Sequence, residues 1–412
     1  PEPEDRPDLW PTTARRTPAG ELALGGLTVS EILADAPSPV FVLDEADLRG
    51  RAASWSAAMA EEFWSGYGLR GGEAFYAGKA FLTTQVARIV LQEGMGIDTA
   101  SRVELAVGLA GLEKVDGPEA TTHARRLGLH GNGKTPAEVT TAVRHRVGHL
   151  VIDSPEEVDH AVAAVHELRR SGDFGADERA RVMVRLTTGI HAGGHEYIST
   201  AHEDQKFGLS VSTGAARRAI DAIVAADELE LAGLHSHIGS QILDMAGFRE
   251  AVGVVLGLRH EIAVDTGHLC PEVDLGGGYG IAYTGADPVV PSPAQVARTL
   301  AEAVRETCER LGDEVPTVSI EPGRAVAGPT TVTLYTVTGL KRVELGEGAS
   351  RLYVSIDGGM SDNIRPALYE AAYTALVANR RPDPSAGLTR ARVVGKHCES
   401  GDVVVRDVDL PA

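Results

Sequence analysis

The chain has 412 residues, 43% apolar and 24% charged, which excludes a disordered or fibrous protein and leaves room for two domains with a sizeable core. Thirty-nine basic against fifty-eight acidic side chains give a net charge of -19, which argues against unspecific binding to nucleic acid or anionic membrane and for a small-molecule partner. Three scattered cysteines make neither a disulfide framework nor a zinc site, no apolar run approaches the roughly 18 residues of a membrane span, and the start PEPEDRPDLW lacks a signal-peptide layout, so a cytoplasmic protein is expected.

The first forty residues carry Pro and Gly punctuation and then a strand-like VFVLDE. From there a regular alternation begins. Apolar or β-branched runs recur at AFYAGK (74–79), GIDTAS (96–101), LGLHGN (127–132), HLVIDS (149–154), RVMVRLTT (181–188), LAGLHSHIGS (231–240), EVDLGGG (272–278) and VSIEPGR (318–324). Helix-like stretches such as TTQVARIVLQEG, RVELAVGLAGL, TPAEVTTAVRHRVG, SPEEVDHAVAAVHELRR and SPAQVARTLAEAVRETCERLG lie between them, several opening on a Ser or Thr cap followed by Pro and acidic residues. Eight strand–helix units predict an α/β fold, a (β/α)8 TIM-type barrel; an open doubly wound sheet gives the same local signals and differs only in the count. Beyond residue 325 the runs TVTLYTVTGLKRVE, RLYVSIDG, RARVVGKHCE and GDVVVRDV lack intervening helices and predict a mainly antiparallel β domain, with VANRRPDPSAGLTR as a loop. The expected division is an N-terminal segment 1–44 that contributes to the β domain, a barrel 45–325, and the β domain 326–412.

Barrel chemistry sits at the carboxyl ends of the strands. Those ends carry Lys79, Asp98, His130, Asp153, Arg185, His237, the turn Gly276, Gly277 and Gly278, and Glu321 with Arg324. A lysine, a histidine, a glycine turn and a Glu-Pro-Gly-Arg turn are what a phosphate-bearing aldehyde cofactor needs. Each has a plainer reading. Lys79 in YAGKAF is either a snorkelling lysine or, flanked by apolar residues that desolvate its ammonium, a Schiff-base lysine. The three glycines make a tight turn, or leave bare N–H groups that cradle a phosphate. Glu321 is a carboxylate paired with Arg324, or the group that keeps a pyridine nitrogen protonated. His235 and His237, two apart on a strand, share one face and offer an H-x-H metal site with His130 and Asp153 as further ligands, which makes a metal hydrolase a rival.

In order along the chain, YAGKAF, HSHIGSQ, DLGGGYG, IEPGR, DGGMSDNIRPALY and GKHCESGD resemble the diaminopimelate decarboxylases. These are pyridoxal-phosphate enzymes of the alanine-racemase-like fold group that also contains ornithine decarboxylase. The segments STAHEDQKFGLS and HGNGKT are similar to bacterial members as well. The resemblance implies that Lys79 holds pyridoxal 5'-phosphate covalently, that His237 stacks on its ring, and that Ser240 with Gly276, Gly277 and Gly278 binds its phosphate. By the same resemblance Glu321 is expected to pair with the ring nitrogen, and Asp98, Gly323 and Arg324 to complete the cofactor set. The resemblance further implies that Arg324, Arg365 and Tyr369 grip the unreactive carboxylate of an amino-acid substrate and that Glu399 holds the amine there. Cys398, otherwise read as a small buried apolar residue, is by the resemblance expected to be the proton donor reaching in from a partner subunit, so a homodimer with shared active sites is implied. The implied reaction is decarboxylation of meso-2,6-diaminopimelate to L-lysine.

Two departures from the family pattern stand out. DTASRVEL places Arg102 and Val103 where many members have two glycines, which keeps open a paralogue acting on another amino acid. The sequence reaches Pro411 and Ala412 without the family's Gly-Ala-Tyr turn, so an incomplete tail is expected; a chain ending there in nature would be an inactive cofactor-binding homologue.

Overall fold

A computed structural model describes residues 1–190, 206–346, 348–383, 385 and 387–411; part of STAHEDQKFGLS, residues 199–205, lies outside the described residues. The chain forms two compact units, one from residues 49–280 and 290–328, the other from residues 1–48, 281–289 and 329–412.

The first unit is the barrel. Its eight parallel strands are, in chain order, Gly72–Ala77, Gly96–Thr99, Leu127–Leu129, His149–Ile152, Ala180–Thr187, Leu229–Ser236, Glu272–Asp274 and Thr317–Ile320. Each pairs with its sequence neighbour, the eighth pairs with the first, and the fourth meets the fifth through Val151–Met183 and Ile152–Val184, so the sheet closes. All eight runs read from the sequence are barrel strands. They are nearly continuous apolar runs because both faces are covered: residues 96–99, 127–129 and 149–152 are buried without exception. The register sets Ala77 opposite Asp98, and His235 opposite both Arg185 and Asp274, so the polar residues ending the strands meet at one level.

The outer helices begin where their caps require. Thr83 accepts from Val86 N, Ser101 accepts from Glu104 N, and Thr135 with Glu138 and Ser292 with Gln295 form reciprocal capping boxes. Ser154 is different and caps nothing with its side chain. Glu157 turns inward instead, accepting from Asp153 N (2.8 Å) and Lys134 N (3.1 Å) and pairing with Lys134 Nζ at 2.8 Å. Arg102 and Val103 sit on the exposed first turn of the helix Arg102–Asp116, with Val103 68% exposed, so this departure from the glycine pair changes no core packing.

In the second unit, Thr331–Leu334 pairs antiparallel with Val40–Leu43, which brings the N-terminal segment into the β structure. A four-stranded sheet follows: Val337–Gly346, Ala349–Ile356, Leu388–Val394 and Val403–Pro411, antiparallel except for its parallel central pair. The long crossover within that central pair carries the helix Arg365–Tyr369. Arg16, only 8% exposed, clamps this crossover by donating to the carbonyls of Val377, Ala378 and Arg380.

Candidate active site

Lys79 stands in the single 3-10 turn, Gly78–Ala80, that leaves the first strand. It is exposed, as are Ala80 and Phe81, so the apolar flanks do not desolvate the ammonium as YAGKAF suggests. Tyr76 is buried beneath and donates its hydroxyl to the Phe81 carbonyl at 2.6 Å, and Phe81 is 48% exposed. The Lys79 charge nonetheless acts on Asp98, Glu321 and His237, favouring the ionised carboxylates and the neutral imidazole.

The glycine turn also differs from expectation. Gly276 N donates to Asp274 Oδ1 at 2.8 Å and Gly277 N to His237 Nδ1 at 3.3 Å, so only Gly278 N lacks a partner among the described residues. Three glycines are needed for close approach instead. A Cβ on Gly276, Gly277 or Gly278 would lie 2.2, 2.3 or 2.4 Å from the carbonyl oxygens of Ser236, Glu321 and Gly239 respectively. Gly323 has a similar use, since a Cβ there would meet that of Ala77 at 2.8 Å.

His235 and His237 do not act as a pair. The strand ends at Ser236; His235 points to Glu321, Nε2 to Oε1 at 2.9 Å, while His237 Nδ1 accepts from Gly277. Acceptance at Nδ1 requires a neutral ring, and burial together with the Lys79 charge pushes the His237 pKa down to about 3. Arg324 Nη2 donates to Ser240 Oγ at 3.0 Å, so the guanidinium stands beside the hydroxyl. A guanidinium, a hydroxyl and the Gly278 N–H are donors suited to a phosphate.

Below the rim lies a buried polar layer. Asp98, His130, His149, His235, Asp274 and Glu321 are each at most 8% exposed. His130 Nε2 lies 2.6 Å from Asp98 Oδ1 without hydrogen-bond alignment, and His130 Nδ1 lies 3.4 Å from Glu321 Oε1. His130, His235 and Glu321 thus come together within 4.8 Å, whereas Asp153 turns to Gly208 N, 2.9 Å away. Burial, reinforced by Asp274, pushes the Asp98 and Glu321 carboxyls up. Asp274 stays low despite its burial because His149 faces it, 3.4 Å from Oδ2. Asp98 Oδ1, Ser236 Oγ and Tyr279 OH are buried with no hydrogen-bond partner among the described residues. Unsatisfied polar atoms, an anion corner, a neutral imidazole, a carboxyl and a primary amine fit a small ring-bearing phosphate cofactor.

Burial holds the His130 pKa down at about 4. An unfolded histidine titrates near 6.5, so from pH 6.5 down to 4 the unfolded chain binds a proton that the folded chain refuses, and stability falls on acidification. The raised Asp98 and Glu321 act in the opposite sense and are common to wild type and variant. The Tm of cofactor-free protein is therefore expected to drop less between pH 7 and pH 5 in His130→Asn than in wild type, as thermal melts would read.

The second unit holds the other expected residues. Arg365 Nη1 donates to Tyr283 OH (2.7 Å) and Tyr373 OH (3.1 Å), and its guanidinium lies 5.1 Å over the Tyr283 ring. Tyr369 ends the same short helix and is 64% exposed. Cys398 and Glu399 are exposed, which removes the reading of Cys398 as a buried apolar residue. Their turn is anchored by Asp402, 3% exposed, which accepts from Met360 N (2.6 Å) and His397 N (2.8 Å) and so ties GKHCESGD to DGGM. Sequence reasoning did not find the roles of Asp274, His149, Tyr283, Tyr373 and Asp402, although the placement of Asp274 at a strand end is a signal of the kind that found Asp98.

Residues 47–328 match the family described as pyridoxal-dependent decarboxylase, pyridoxal binding domain. The diaminopimelate decarboxylase of Mycobacterium tuberculosis is 42% identical, over 98% of this chain and 85% of its own length. That of Bacillus subtilis is 36% identical over 97% of this chain and 84% of its own. The crystal structure of the M. jannaschii diaminopimelate decarboxylase with L-lysine superposes with a TM-score of 0.84 at 25% identity, covering 98% of this chain and 85% of that one.

Proposed function

Since the chain belongs to the diaminopimelate decarboxylase family of pyridoxal-dependent decarboxylases, we infer that it is a carboxy-lyase converting meso-2,6-diaminopimelate into L-lysine and carbon dioxide in lysine biosynthesis. The observation that carries this reading is the convergence of an amine, an anion corner, a neutral imidazole and a buried carboxyl on one barrel rim. Pyridoxal 5'-phosphate, when bound, supplies the electron sink for the pair released as the carbon–carboxylate bond breaks.

The chain's own groups do the rest. Lys79 offers the amine that anchors the cofactor, and its exposed turn leaves that amine free to yield to the substrate's. Ser240, Arg324 and Gly278 N–H hold the phosphate. His237 takes one face of the ring, kept neutral by burial and the Lys79 charge while its Nδ1 accepts from Gly277. Glu321, from within the layer that includes Asp98, holds a proton at the ring nitrogen. Arg365, Tyr369 and Glu399 are assigned to the unreactive end of the substrate, where a guanidinium fork binds both carboxylate oxygens in one plane. The tyrosine hydroxyls on Nη1 fix that fork and leave its other edge for the carboxylate. Cys398 is assigned to protonation of the substrate carbon, in a homodimer whose subunits share active sites.

No helix among the described residues is long and apolar enough to cross a membrane. The cytoplasm is the proposed location, in keeping with three free thiols. Product analysis with meso-2,6-diaminopimelate, set beside ornithine, arginine and lysine as competing substrates, tests the assignment.

A further inference from the structure

Glu321 is held from two sides by residues that the reaction as described does not use. His235 from the sixth strand and His130 from the end of the third converge on the same oxygen, Oε1, at 2.9 and 3.4 Å. Their rings meet edge to face with centroids 5.0 Å apart, so each restricts the other's rotation. Oε2 takes no hydrogen bond among the described residues. His235 is 1% exposed and Glu321 5%, so water does not compete for the contact. A glutamate carboxyl turns freely about its last torsion unless one oxygen is fixed, and a carboxyl free to turn would present either oxygen, or neither, to a ring nitrogen.

We propose that His235, assisted by His130, is a positioning residue that fixes Glu321 through Oε1 and thereby presents Oε2 to the ring nitrogen of the cofactor. The proposal rests on the assignment of Glu321 to that nitrogen. Its chemistry is specific about atoms: His235 acts through Nε2 and His130 through Nδ1. A glutamine side chain places its amide near the Nε2 position of a histidine, and an asparagine near Nδ1. Glutamine should therefore replace His235 and asparagine should replace His130, whereas the opposite choices should fail. A purely structural need for a polar group at either place predicts no such crossing.

The test uses four variants, His235→Gln, His235→Asn, His130→Asn and His130→Gln, with Glu321→Gln as reference. The readouts are the Kd for pyridoxal 5'-phosphate, from titration of cofactor-free protein, and the pH midpoint of the bound cofactor's absorption band. His235→Asn is expected to weaken cofactor binding about 10–100-fold, as loss of an orienting partner does elsewhere, and to move the midpoint in the direction Glu321→Gln moves it. His235→Gln should recover most of both. His130→Gln and His130→Asn should show the same contrast in reverse roles, so a failure of either site's variants to fold leaves the other pair to decide. If Glu321→Gln shifts both readouts while all four histidine variants match wild type, the proposal is overturned and the Glu321 assignment stands. If Glu321→Gln itself changes nothing, the assignment fails and the proposal falls with it.

Discussion

Lys79→Ala is expected to lower decarboxylation by at least about 10³–10⁴-fold while leaving the Tm unchanged. The stability half follows from exposure: Lys79 is on a surface turn, and the substitution removes no buried contact. The catalytic half follows from the site, because this amine acts electrostatically on Asp98, Glu321 and His237, while Lys134, the buried lysine after the third strand, is occupied. Its Nζ is paired with Glu157 at 2.8 Å and donates to the Gly131 carbonyl at 2.7 Å. Borohydride reduction of wild type with cofactor should give one adduct, found on Lys79 by peptide mass, and none in the variant. An adduct on Lys134 or any other lysine would refute the anchor.

The second large effect concerns Cys398. If this thiol protonates the substrate carbon from across a dimer interface, Cys398→Ala should bind cofactor as wild type does and turn over on the order of 10²–10⁴ times more slowly. The thiol is exposed in the single chain, on a turn pinned by Asp402, so its removal costs the fold little. Lys79→Ala and Cys398→Ala subunits, each inactive alone, should regain activity when mixed. Half of randomly exchanged dimers are hybrids with one intact site, which sets recovery at about a quarter of wild-type sites. No recovery, with exchange verified by native mass measurement, would place the thiol within its own chain's site or outside the chemistry.

Much of the barrel is legible because buried parallel strands are short apolar runs ended by chemistry-bearing residues. Helices announced by Thr83, Ser101, Thr135 and Ser292 were legible for a different reason, since a cap is a local signal. The helices Ala215–Ala225 and Ala246–Thr266 follow Gly214 and Met245, neither of which makes a side-chain cap, and the sequence marks them poorly. Within the site, residue types were readable but partners were not. The separate targets of His235 and His237 depend on Glu321 and Gly277, 86 and 40 positions away. The N–H groups of Gly276 and Gly277 are taken by Asp274 and His237, a geometry that three consecutive glycines do not reveal. Arg365 meets Tyr283 across 82 positions for the same reason.

The central claim is the reaction itself, and the most direct measurement is lysine release by purified protein saturated with pyridoxal 5'-phosphate. Lysine and carbon dioxide should appear in equal amounts from meso-2,6-diaminopimelate, with little or no turnover of ornithine, arginine or lysine under the same conditions. Cofactor bound on Lys79 but no lysine formed, or preferential turnover of one of the other three amino acids, would contradict the account.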